Sequence, residues 1–109
     1  MIPIKESRSF TNGSLEDFNP ADLMKKVAET GRSLHTIREY NDDIYTISIF
    51  YKEWFGDLGI NNPDELYWAD VVVEYPDGKQ DRVAGSRDLK YNDVIDYLNQ
   101  WKASVLHNG

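Results

Sequence analysis

Apolar and polar positions alternate most regularly between Tyr67 and Tyr75. Tyr67, Ala69, Val71, Val73 and Tyr75 occupy odd positions, and Asp70 and Glu74 even ones. A period of two over this length predicts a strand with one buried face. Tyr45, Ile47, Ile49 and Tyr51 alternate in the same way with Thr46, Ser48 and Lys52, which predicts a strand over 44–55. A β-branched and aromatic stretch over 32–40 precedes it, with Asn41-Asp42-Asp43 as the turn between them. A two-residue turn would place Leu34 opposite Ile49, and a three-residue turn would place His35 there. Pro76-Asp77-Gly78 reads as a second turn, with the glycine where a left-handed residue is needed. The chain then returns over 79–85 with Val83 facing Val71.

Helical spacing appears twice. Leu23, Met24 and Val27 make an apolar stripe over 20–30, and Val94, Ile95, Leu98, Trp101 and Val105 make another over 91–106. Asn19-Pro20-Ala21-Asp22-Leu23 supplies a capping side chain, a proline suited to the first helical position and an early acid. Gly31 is a natural stop. The related Asn62-Pro63-Asp64-Glu65-Leu66 predicts one helical turn over 63–66. Ile2, Ile4 and Phe10 suggest a first strand over 2–10, residues 11–18 read as a loop, and the last three residues read as a frayed end. The resulting order is β-α-β-β-β-β-α, or α-β-β-β-β-α without the first strand. It predicts one α+β domain over 1–109, with a four- or five-stranded, mainly antiparallel sheet and two helices on one face.

Composition narrows the function. The chain has 109 residues, 40% hydrophobic and 28% charged, an ordinary globular mix. No apolar run approaches the roughly 20 residues that a bilayer-spanning helix needs, and no signal-peptide core opens the chain. The expectation is a cytoplasmic protein of a bacterium or a phage-infected cell. The absence of cysteine removes disulfides, thiol catalysis and cysteine-bound zinc. Two histidines, His35 and His107, are expected on a strand surface and in the tail rather than at a metal. No serine lies in a nucleophile elbow, and the glycines form no phosphate loop. The expectation is therefore no catalytic residue, no metal and no cofactor. A pocket uniting His35 with two carboxylates would point instead to an enzyme.

Charge is the strongest remaining signal. The net charge is −7, which argues against direct nucleic-acid binding. From Glu39 to Asp81 there are eleven acids and only two cations, Lys52 and Lys79. Arg82 is expected to pair with Asp70 or Glu74 on the neighbouring strand. The remaining excess suits an acidic, non-catalytic protein that binds and inhibits a basic, nucleic-acid-handling enzyme, its carboxylates standing where phosphates would. Phage inhibitors of host defence nucleases, anti-CRISPR proteins among them, and nuclease-immunity proteins fit this profile. The candidate partner-binding residues are Asp42, Asp43, Glu53, Asp57, Asp64, Glu65, Asp70, Glu74 and Asp77, with Tyr51, Trp54 and Trp68 as aromatic contacts. The alternative is an accessory domain that forms a homodimer through its sheet, using Thr46, Ser48, Phe50 and Val72.

Overall fold

Asn19 starts the first helix, α1 (Pro20–Thr30), as its Oδ1 accepts the Ala21 N–H at 3.0 Å. Gly31 ends it in the left-handed conformation, φ 64°, with its N–H donating to the Val27 carbonyl. Leu23, Met24 and Val27 are buried on one side of this helix. The computed structural model describes residues 11–51 and 67–108. The expected strand over 2–10, the end of the strand over 44–55 and the turn over 63–66 lie outside them.

Four strands follow: β1 (Leu34–Tyr40), β2 (Asp43–Tyr51), β3 (Tyr67–Glu74) and β4 (Gln80–Leu89). They form one antiparallel sheet in chain order. Asn41 and Asp42 both adopt positive φ, 49° and 67°, the signature of the two-residue type I′ turn. Leu34 accordingly lies opposite Ile49. The last helix, α2 (Tyr91–Asn108), continues through His107, where a frayed end was expected. Among the described residues no helix is long and apolar enough to cross a membrane.

β4 departs from the expected pairing. Val71 pairs with Ala84 and Val72 with Arg82, so Val83 bulges between them and is 44% exposed rather than facing Val71. The strand also runs on to Leu89, four residues past the expected end at residue 85. A second shift lies between the Tyr67–Leu89 and Ala69–Ser86 pairs, where Asp88 takes φ 57°.

The core sits between the helices and one sheet face. Tyr45, Ile47, Ile49, Tyr67, Ala69, Val71 and Val73 pack against Leu23, Met24 and Val27 from α1 and Val94 and Leu98 from α2. The helices lie side by side, α1 over β1 and β2, α2 over β3 and β4. Two loop residues, Leu15 and Phe18, are also fully buried in this core. Lys102 of α2 holds their loop, its Nζ donating to the Glu16 and Phe18 carbonyls at 3.0 and 2.7 Å. No described helix covers the other sheet face, which carries Thr46, Ser48, Phe50, Trp68, Asp70 and Val72.

The β3–β4 turn needs its glycine. Gly78 has φ 90°, its N–H donates to the Tyr75 carbonyl, and Tyr75 N–H donates to the Lys79 carbonyl. Gly78→Val should lower stability by about 1–2 kcal/mol, because a β-branched residue is strained at positive φ. Gly78→Asn should cost less. Urea midpoints that coincide for the two variants would contradict this turn.

Candidate functional site

The meander returns both described hairpin turns to one end of the sheet. The β1–β2 turn brings Asp42 and Asp43, and the β3–β4 turn brings Asp77 and Asp81. Ile44 pairs with Glu74, so Asp43 and Tyr75 are neighbours across β2 and β3. Tyr40, Tyr45 and Tyr75 stand among these carboxylates, and the Tyr75 hydroxyl donates to Asp81 Oδ2 at 3.2 Å. Among the described residues Lys79 pairs with this group, 3.9 Å from Asp77, with both side chains well exposed. Such a pair offsets little of the field. Residues 12–15 run along β1, with Leu15 N–H on the Glu39 carbonyl at 2.9 Å. While Asp17 and Asp22 border a cleft between α1 and β1, this loop carries Glu16 toward the same end. The C-terminus of α2 also points there, adding the negative end of a helix dipole.

The tyrosines register this setting. Burial raises the hydroxyl pKa of Tyr45 first, followed by the Asp43 carboxylate. For Tyr75, burial leads, then the hydrogen bond to Asp81 and the charges of Asp81, Asp43 and Asp77. Tyr67, at the other end, is raised by burial and by Tyr51 and Tyr91. Folding therefore favours the neutral phenols. Their contribution to stability should be intact below the free-tyrosine pKa of about 10 and fall as pH rises through the higher folded values. Phenolate absorbance followed with pH should show late-ionising tyrosines that revert to ordinary titration in denaturant. Titration identical in the two states would contradict the burial.

The structure brings together only some of the residues expected in a site. Asp42, Asp43 and Asp77 converge. Asp70 lies mid-strand on the open face and is paired with Arg82. Glu74 is on that face nearer the acidic end, accepting from Gln80 Nε2 at 3.2 Å. Tyr51 stacks on Tyr67 at 5.5 Å, toward the opposite end. Trp68 sits on the open face, 5.3 Å from Phe50 and 4.3 Å beneath the Arg87 guanidinium. Glu53, Trp54, Asp57, Asp64 and Glu65 lie outside the described residues. The sequence alone did not single out Tyr40, Tyr45, Tyr75, Asp81 and Glu16 for this end. The two separate turn signals point to the first four, because consecutive hairpins return to the same end.

No known protein family matches this chain, and neither does a curated protein or a solved structure.

A second feature is a cleft of about 460 Å³ between α1 and β1, bordered by Asp17, Asp22 and His35 among others. His35 pairs with Ser48, so strand alternation turns its side chain to the open face, while Leu34, Thr36 and Arg38 face the cleft. The imidazole therefore does not join the two carboxylates. Among the described residues no group of histidine and acidic side chains is arranged to hold a metal.

Proposed function

We propose that this chain is a non-catalytic binding protein whose acidic end docks on a basic protein partner. The class of partner is a nucleic-acid-handling enzyme, blocked when carboxylates fill positions meant for phosphates. One observation carries this reading: Asp42, Asp43, Asp77 and Asp81, from two turns more than 30 residues apart, meet at one end beside three tyrosines. Clustered charge of one sign speeds encounter with an oppositely charged surface. Tyrosines add rigid contact area with a polar tip. A phage inhibitor of a host nuclease and a nuclease-immunity protein both fit this profile.

Affinity capture from bacterial lysate at low and high salt tests the proposal. A basic enzyme retained at low salt, released at high salt and inhibited on its nucleic-acid substrate supports it. A salt-insensitive partner with no nucleic-acid activity counts against it.

The exposed Phe50, 40% accessible on a face that no described helix covers, favours a second reading. In that reading two copies pair through Thr46, Ser48, Phe50 and Val72. Light scattering separates the readings: a monomer fits the first, and a dimer lost in Phe50→Ser fits the second.

A further inference from the structure

Asn12 is followed by Gly13, the pair in which an asparagine most readily loses its amide. Glycine has no side chain to hinder its own nitrogen. That nitrogen attacks Asn12 Cγ. A new C–N bond closes a cyclic imide, the Cγ–Nδ2 bond breaks, and ammonia leaves with the proton from Gly13. Water then opens the imide. Opening at Cγ gives aspartate. Opening at the backbone carbonyl gives isoaspartate, whose main chain runs through the former side chain. Water enters, ammonia leaves, and no other reactant is needed.

Ring closure requires the peptide plane between Asn12 and Gly13 to turn toward the side chain. The fold holds both in place. Asn12 N–H donates to the Ile37 carbonyl, and the Gly13 carbonyl accepts from Glu39 N–H at 3.0 Å. Asn12 Oδ1 accepts from Ile37 N–H at 2.8 Å and from the Thr36 hydroxyl at 3.3 Å. Arg38 Nε donates to that hydroxyl at 3.1 Å and steadies it. Asn12 is nevertheless exposed, so water reaches it. Its pairing also lies on an outer strand, since β1 begins the sheet. Such an edge opens locally more often than the whole domain unfolds. The reactive pair is thus closed by hydrogen bonds rather than by burial.

We propose that Asn12 is a deamidation site gated by its pairing with β1. Conversion is confined to chains whose edge has opened, and isoaspartate makes that opening permanent. Its extra main-chain carbon moves Gly13 and Leu15 off Glu39, to which both are now hydrogen-bonded. Aspartate keeps the acceptor that Ile37 and Thr36 need. This modification does not depend on the docking of a basic partner at the sheet end.

The full chain is incubated at mildly alkaline pH below its melting midpoint and, in parallel, in concentrated urea. Peptide mass mapping separates Asn12 from Asn108, the other asparagine followed by glycine. An isoaspartyl-specific methylation assay counts the isoaspartate. Asn12 should convert at least about tenfold more slowly in the folded chain, because several hydrogen bonds must break together before the ring closes. Thr36→Val removes one donor to Oδ1 and keeps the branched side chain. Conversion in the folded variant should rise about threefold or more, with no change in urea. Asn12→Asp should melt close to wild type, and the isolated isoaspartyl chain below both. Equal conversion in the two conditions, no effect of Thr36→Val on the folded chain, or an isoaspartyl chain that melts with Asn12→Asp would overturn the proposal.

Discussion

Truncating Phe18 to alanine is expected to lower stability by about 3–5 kcal/mol, the usual cost of removing a fully buried aromatic ring. Phe18 sits in a loop, yet it is 1% exposed and belongs to the same core cluster as Ile47, Val71 and Leu98. The cavity would open beneath Arg38 and beside Leu23, where Lys102 ties the loop to α2. That loss is a large share of the roughly 5–15 kcal/mol that holds a small domain together. Phe50→Ala is the comparison. It removes the same ring from the open face, where the residue is 40% exposed, and should cost about 1 kcal/mol or less. Thermal melting of both variants decides between the two faces. Equal midpoints would mean that the loop is not part of the core.

The outcome at Phe18 also shows what the sequence makes visible. Odd-position alternation along β2 and β3 identifies the buried sheet face, because a half-buried strand can hide only every second side chain. Asn19, Pro20 and Gly31 mark the bounds of α1, because capping chemistry is local. Leu15 and Phe18 were hidden, since an irregular loop has no period. A local signal did exist: Phe18 precedes the cap and Leu23 is the fourth helical residue, the spacing of a hydrophobic staple. At Val83 the expected pairing fails because a bulge in β4 breaks the alternation, and an inserted residue leaves no period to read. Asp70 and Arg82 could be paired from the sequence, since cross-strand neighbours follow once a hairpin is assigned. The two turn signals already imply that Asp42, Asp43 and Asp77 share an end, whereas the approach of the loop at Glu16 along β1 leaves no local signal.

The largest functional effect is expected from that end. The variant Asp42→Asn, Asp43→Asn, Asp77→Asn, Asp81→Asn would move the net charge from −7 to −3. The fold should survive it. Asn tolerates the positive φ of position 42. An amide oxygen can also still accept from Lys79 N–H and the Tyr75 hydroxyl, as Asp77 and Asp81 do now. A charge control neutralises Glu29, Asp93 and Asp96, exposed acids on the helices toward the other end. If the acidic end steers a basic enzyme, the first variant should associate about tenfold or more slowly at low salt. The gap should close as salt screens the charges, and the control should stay near wild type. The most direct measurement is the association rate with the captured partner at low and high ionic strength. A slow, salt-sensitive fourfold variant beside a fast control is the predicted result. Association as fast as wild type at low salt, or equal slowing in both variants, would contradict docking through the acidic end.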